Sequence, residues 1–425
     1  MPNIYVRAYG CSANLADAEI IRGLLKGDGH DLAASPKDAD GYVVLTCVVK
    51  TPTERKILKE LKRLEATGKP LIIAGCLPKA MRNTAEGMFA NASMIGPDDL
   101  GRINEVVDGL FSGNKLVYVN GKPTDRTCMP RIRKNKIIHI APICTGCLGN
   151  CSYCIVKKAR GELHSFNSQK IVDDVRLALH DGCGEIWLTA EDTAAYRFNK
   201  IRLPELINLI TKLDGDFMVR VGMMTPNQAL PKLDDLIQSY NDPKVFKFLH
   251  VPIQSGNDRV LKNMNRKYTV KDFKELVTKF RREIPEVGIS TDIICGFPGE
   301  TIEQFNDSLE LVRWLKPDVL NISRFWARPG TKAAELPGKL HGRETKERSR
   351  VLTESWRRLG LKAGERWRNW EGEILLDENG KLGTKVGRNI SYKSVAVNTY
   401  KSLGERIKVR VTGVGLGFLE AEEIL

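Results

Sequence analysis

The sequence predicts a multidomain α/β chain in three parts: a parallel-sheet domain, an α/β barrel, complete or partial, and a small β-barrel. Three observations carry that expectation. Short apolar runs alternate with amphipathic helical patterns through about residue 110, the order of βαβ units. From Ile137 to about Gly360, six further strand candidates alternate with helices, as in a barrel bearing functional residues at strand carboxyl ends. Beyond Glu365 the chain changes to short strands separated by Gly and Asn turns.

Composition bounds the function. A length of 425 residues supplies two or three cores, and 42% hydrophobic with 28% charged residues is globular, neither disordered nor fibrous. No run of eighteen apolar residues occurs, and "MPNIYVRAYGC" enters a strand pattern at once. Neither a membrane span nor a signal peptide is expected, and a cytoplasmic location is. In a reducing cytosol the ten cysteines are expected as ligands, catalytic groups or core residues rather than disulfides. The net charge of +14, from 66 basic and 52 acidic residues, admits a polyanion partner and equally an ordinary basic surface.

In the first domain, 1–112, strands are expected at "IYVRAY" (4–9), "YVVLT" (42–46) and "LIIAG" (71–75). Helices are expected at "ADAEIIRGLLKG" and "PTERKILKELKRLEATG", the second closed by Gly68, Lys69 and Pro70. Residues 113–136 read as a linker. Between Arg126 and Lys136 it has five basic residues and no acid, which suits a solvated connection or a flank of a nucleic-acid site. In the second domain, 137–364, the strand candidates are "KIIHIAPI", "EIWLTA", "FMVRVGMM", "FKFLHVPI", "GISTDIICGF" and "VLNISRFW". "GFPGE" (296–300) reads as a tight turn into a helix rather than a phosphate cradle. In the last domain, 365–425, eight Lys or Arg between Asn379 and Val411 stand against one acid, Glu405. Tyr392 and Tyr400 lie among them, a pattern that suits a nucleic-acid-binding barrel or an ordinary basic one.

The stretch "CLGNCSYC" carries the chemistry. Adding Cys144 gives two CxxC pairs, but only three residues separate them, whereas zinc ribbons place a loop of roughly 12–20 between pairs. Disulfides are disfavoured by compartment. An iron–sulfur cluster on Cys147, Cys151 and Cys154 fits better, and three ligands on a cubane leave one iron open for a small molecule. In the first domain, Cys11, Cys47 and Cys76 each follow a predicted parallel strand, at the edge where such sheets bind ligands. The alternative is three small core residues. Cys144 reads as a packed loop thiol and Cys295 as core, while Cys128 and Cys183 match no ligand pattern; the six His show no paired metal spacing.

The CxxxCxxC motif, with Tyr153 before its third cysteine, resembles the radical S-adenosylmethionine superfamily. Together with "YGCSANLADAE", "TCVVKTPTE", "AGCLP" and "TDIICGFPGET" it resembles the methylthiotransferases. "TCVVKTPTE" and "CLGNCSYCIVKKARGEL" are similar to the archaeal and eukaryotic-type tRNA branch, and the C-terminal barrel resembles a TRAM domain. The match runs essentially the whole chain, departing from the family pattern at Phe166 and Asn167 and after Tyr196.

The resemblance implies a flavodoxin-like first domain, a partial radical S-adenosylmethionine barrel and an RNA-binding barrel. It implies one [4Fe–4S] cluster on Cys147, Cys151 and Cys154 and a second on Cys11, Cys47 and Cys76. S-adenosylmethionine then serves as methyl donor and as radical source. Tyr153, Glu191, Gln254, Ser255 and Asp292 are placed against that cofactor, Glu191 opposite the methionyl ammonium. The implied reaction inserts a methylthio group at C2 of N6-threonylcarbamoyladenosine at position 37 in the tRNA anticodon stem-loop. An electron donor and a sulfur source are implied partners, with no membrane and a monomeric chain. Rival readings are the same chemistry on isopentenyl-adenosine tRNA or a ribosomal protein, and an iron–sulfur RNA-binding protein whose clusters are fully ligated.

Overall fold

The computed structural model describes residues 1–424. Its first sheet has six parallel strands in the order Asp31–Leu32, Asn3–Ala8, Gly41–Thr46, Leu71–Gly75, Ser93–Ile95, Val117–Tyr118. Every residue of Gly41–Thr46 and Leu71–Gly75 is buried, because helices cover both sheet faces. The expected strands all form, and so do the helices Ser12–Gly27 and Thr51–Glu65.

The segment read as a linker differs from that expectation. Val117–Tyr118 is the sixth strand of the sheet, and the rest is strapped to both domains. Arg126 is buried, with Nε 3.1 Å from Asp17 Oδ1 and Nη2 donating to Pro97 O. Arg131 pairs with Asp174 at 3.1 Å and Arg133 with Asp181 at 2.7 Å. Three of the five basic side chains are thus spent inside the protein, so a run of arginines here ties domains together. The strap crosses the helix Ser12–Gly27 at Gly23, where a Cβ would lie 2.3 Å from Pro130 backbone.

Six parallel strands follow. Ile138–Pro142, Glu185–Thr189 and Met218–Val221 pair in one group; Phe248–His250, Gly288–Cys295 and Val319–Arg324 pair in another. One bridge, Val219 to Val245, joins them into a partial barrel around a shared core. Asn167, a departure from the family pattern, caps the helix Ser168–His180 by accepting from the Gln169 and Lys170 amides. In "GFPGE", Gly296 and Gly299 have φ of +75° and +77°, and the Gly296 amide donates to Glu300, so the segment is a turn.

The helix Gly342–Gly364 leads into a closed barrel of Glu371–Asn379, Lys385–Arg388, Ser394–Val397, Phe418–Glu423 and Arg406–Val414. Its basic residues are only partly free. Arg388 pairs with Asp377, Lys393 with Asp318, Arg406 with Asp216 and Arg410 with Glu371. Tyr392 packs on Phe246 and Phe248 of the central domain and beneath the Arg220 guanidinium, 5.1 Å from the ring centre. It is a docking residue, not an exposed stacking platform; Tyr400 is fully exposed. Among the described residues no helix is long and apolar enough to cross a membrane.

Candidate functional site

Two groups of thiols lie at the contact between the first and second domains, where Cys47 and Cys76 share a core with Ile155 and Ala159. In the first domain the strands deliver Cys11, Cys47 and Cys76 to one edge. Cys11 precedes the helix Ser12–Gly27, Cys47 follows Gly41–Thr46 and Cys76 opens the short helix Cys76–Ala80. Glycine makes the approach possible: Gly10 has φ +105° and a Cβ there would lie 2.7 Å from Cys47 Cβ. Gly75, at φ +86°, would meet Thr46 O at 3.0 Å. Asn14, one helical turn after Cys11, donates to Tyr9 O and Thr46 O and fixes the loop ends.

The second group sits on the loop after Ile138–Pro142. The Gly149 amide donates to Cys147 Sγ at 3.2 Å, the Val156 amide to Cys154 Sγ at 3.4 Å, and Arg266 Nη1 to Cys151 Sγ at 3.1 Å. A Cβ on Gly149 would lie 3.2 Å from Cys147 Sγ and 3.7 Å from Cys151 Sγ, so only glycine leaves that space open. Burial pushes Cys147 up to about 11 and Cys154 to about 12, and does the same to Cys76, to about 12. These thiols are protonated at neutral pH until a metal displaces the proton.

The donor sets suit a group larger than one ion. Among the described residues, Asp28, His30 and Asp108 are the group with all ligand atoms within 4.8 Å of one another; neither cysteine triad is that close. A single zinc with bonds of about 2.3 Å needs a tighter set. Three soft thiols, near enough within each triad to influence one another's charge but set further apart than one zinc allows, suit an iron–sulfur cluster.

Arg160, at the end of the helix after Cys154, joins the two groups. It is 2% exposed, with Nη2 2.6 Å from Asn14 Oδ1 and 2.8 Å from Asp17 Oδ2, and Nε 3.7 Å from Glu191 Oε1. Burial raises the Glu191 carboxyl, opposed by Arg160, and its Oε2 is buried without a protein partner. Sequence reasoning missed Arg160, Asn14 and Asp17. Their signal is the i, i+3 polar pair in "CSANLAD" and the lone Arg closing "CIVKKAR".

A cavity of about 380 Å³ opens beside Cys154, the one of the six thiols that lines it. Val49 and Lys50 line it from the first domain, Tyr153 and Cys154 from the cysteine loop, and Gln254, Asp292, Asn321 and Arg324 from the strand ends. Gln254 takes φ +74°, with its amide donating to Asp292 O and its carbonyl accepting from Ile294. Burial pushes Asp292 up, but hydrogen bonds with His250 (3.2 Å) and Asn321 (2.7 Å) hold its carboxyl below the usual range. Two residues expected against the cofactor do not line this cavity. Ser255 is fully buried, its hydroxyl accepting from the Asn257 amide, and Glu191 faces Arg160.

Residues 141–312 match the model of the Radical SAM superfamily, and 3–96 match one described as "Uncharacterized protein family UPF0004". A "Probable threonylcarbamoyladenosine tRNA methylthiotransferase" of Pyrococcus horikoshii is 39% identical across 100% of both chains. The chain belongs to the threonylcarbamoyladenosine tRNA methylthiotransferase family. An Archaeoglobus fulgidus relative of the same printed name is also 39% identical, covering 98% of this chain and 97% of its own. The human "Threonylcarbamoyladenosine tRNA methylthiotransferase" is 34% identical over 99% of this chain and 74% of its own. The fold is similar to that of a radical S-adenosylmethionine methyltransferase from Kitasatospora setae solved with cobalamin and a [4Fe–4S] cluster. The TM-score is 0.55 at 14% identity, covering 78% of this chain and 74% of that one. This methylthiotransferase family member is therefore a radical S-adenosylmethionine enzyme.

Proposed function

We propose that the chain inserts a methylthio group at C2 of N6-threonylcarbamoyladenosine at position 37 of tRNA. Cys147, Cys151 and Cys154 hold one [4Fe–4S] cluster, and Cys11, Cys47 and Cys76 hold a second. When bound, the clusters and S-adenosylmethionine supply the radical that activates C2 and the sulfur and methyl that replace its hydrogen. The observation that carries this reading is the cavity, walled on one side by the Cys154 loop and on the other by the segment just after Cys47.

The chain's own residues position and shield. Arg266 holds Cys151 by its sulfur, and Arg160 fixes the first domain on the second at the level of both thiol groups. Tyr153, Gln254 and Asp292 form the cavity wall beside Cys154, where S-adenosylmethionine is placed. Glu191 offers an unpartnered buried carboxylate oxygen, an acceptor for an ammonium donor. Lys50 and Arg324 line the same cavity and suit a substrate carboxylate. The threonylcarbamoyl group has one and an isopentenyl group does not, which favours the first substrate over the second. Holding two reactive groups against one base is a proximity effect. The base leaves the anticodon stack, as unpaired loop bases do.

The test separates the two thiol groups. Cys147→Ala, Cys151→Ala or Cys154→Ala is expected to abolish reductive cleavage of S-adenosylmethionine and remove about half the iron. Replacing Cys11, Cys47 and Cys76 together is expected to remove the other half, spare cleavage and stop sulfur insertion. Cleavage surviving in a Cys147→Ala chain overturns the assignment.

A further inference from the structure

With three arginines of the connector and five of the eight basic residues between Asn379 and Val411 engaged in internal pairs, free positive charge is also to be sought outside the barrel. The helix Thr51–Glu65 carries Arg55, Lys56, Lys59, Lys62 and Arg63, all exposed. Their spacing of i, i+1, i+4, i+7 and i+8 puts them on one stripe, opposite the buried Ile57, Leu61 and Leu64. Among the described residues, Arg55, Lys56, Lys59 and Lys62 make no ion pair. Glu60, the acid at the edge of the stripe, is neutralised by Arg7 at 3.0 Å and Arg63 at 2.9 Å. Glu54 is turned inward onto Arg328.

The stripe has a direction. The helix starts at Lys50, which lines the cavity, and its first turn is held there by Arg328 donating to Thr51 Oγ1 at 3.1 Å. At its far end Lys56, Lys59 and Lys62 border a cleft of about 400 Å³ with Arg7 and Tyr9. Tyr9 is half-buried, with the Arg7 guanidinium 5.1 Å from its ring centre. Unpaired cations in a line, beginning at the mouth of a cavity that receives a base and ending beside an aromatic ring, match a nucleic-acid strand better than a protein face.

We propose that the outward face of the helix Thr51–Glu65 is an RNA track. Its lysines and arginine carry the phosphate backbone of the anticodon arm away from the cavity, so RNA is gripped by the first domain as well as by the barrel. This rests on the tRNA-modifying reading above. Such contacts release counterions and weaken with salt, each lost phosphate contact lowering the salt slope by roughly 0.7–0.9.

The test uses the full chain with its clusters reconstituted, a fluorescent anticodon stem-loop RNA, and the triple variant Lys56→Ala, Lys59→Ala, Lys62→Ala. All three side chains are exposed, so folding is preserved. Anisotropy titrations across a salt series are expected to show affinity at least about tenfold weaker at about 0.1 M salt, and a slope lower by about 2. Cleavage of S-adenosylmethionine driven by dithionite stays at the level of the unaltered chain. Unchanged RNA affinity and slope in the variant overturn the track. If that variant instead loses cleavage driven by an acidic flavoprotein reductant, the stripe is an electron-donor dock and the track is likewise overturned. An unaltered chain that binds no anticodon RNA at any salt overturns the functional reading itself.

Discussion

At the scale of single residues, Arg160 joins the domains that carry the two thiol groups. It is buried between Asn14 and Asp17 of the first domain and Glu191 of the second, so one guanidinium spans the contact. Removing one partner of a buried ion pair costs about 3–5 kcal/mol, since the other charge stays buried. Arg160→Ala is expected to fall at the low end, about 3 kcal/mol, because Asp17 keeps Arg126 as a second partner. Denaturant unfolding checks it, with Arg160→Lys recovering part of the loss; an unchanged midpoint refutes the role. The six cysteines proposed as ligands stand out in the sequence because each follows a predicted strand or sits in a short motif. Arg160 was not, since an arginine ending a helix looks the same whether it meets solvent or a neighbouring domain. Ser255 was read as lying at a strand end, but it stands in the turn beyond Phe248–His250, and its hydroxyl accepts from the Asn257 amide, a local contact that spacing does not show.

At the scale of elements, strand existence was readable and strand partnership was not. Val117–Tyr118 is too short to show alternation, so its place as a sixth strand appears only in three dimensions. The arginines that follow it read as free charge until their acids arrive from two domains, Asp17 from the helix Ser12–Gly27, Asp174 from Ser168–His180 and Asp181 from the cap that ends it. The same strap touches His139, inside the strand Ile138–Pro142. Its Nε2 lies 3.1 Å from Asp174 Oδ2 and its Nδ1 accepts from Arg133 at 3.4 Å, an arrangement for the neutral ring. Burial lowers its folded-state value to about 4. The unfolded chain, with an ordinary value of about 6.5, therefore binds the extra proton, and stability falls as pH drops from about 6.5 to 4. The expected loss is about 3 kcal/mol, and His139→Gln should flatten that part of a pH–stability profile. A profile identical in both chains contradicts it.

At the scale of the whole molecule, the C-terminal barrel is docked rather than tethered. Tyr392 inserts between domains, Ser391 Oγ donates to Glu286 O at 2.6 Å, and Asn135 donates to Asp377 O at 2.7 Å. The sequence showed a basic barrel with tyrosines but not which face would be covered, because that depends on acids such as Asp216 and Asp318 some distance away in the chain. Glu185 and Asp377 meet at this contact, each with one buried oxygen lacking a partner. Burial, reinforced by Asp377, raises Glu185 to about 7, so the docked state holds a proton the free carboxyl releases near its ordinary 4.5. Docking stability is thus fullest at low pH and is lost as pH rises through about 7. Glu185→Gln is expected to raise the melting temperature at pH 8 and to change it little at pH 5, by differential scanning fluorimetry; no gain at pH 8 tells against a shared proton. The three domains together carry the proposal that two thiol groups at one domain contact insert sulfur into a tRNA base. The most direct measurement is mass spectrometry of nucleosides from N6-threonylcarbamoyladenosine tRNA incubated with the reconstituted chain, S-adenosylmethionine, a sulfide source and a reductant. The expected result is 2-methylthio-N6-threonylcarbamoyladenosine, absent when Cys147→Ala or the Cys11, Cys47 and Cys76 triple variant is used. Unmodified tRNA in the presence of intact clusters, with S-adenosylmethionine still cleaved, would contradict it.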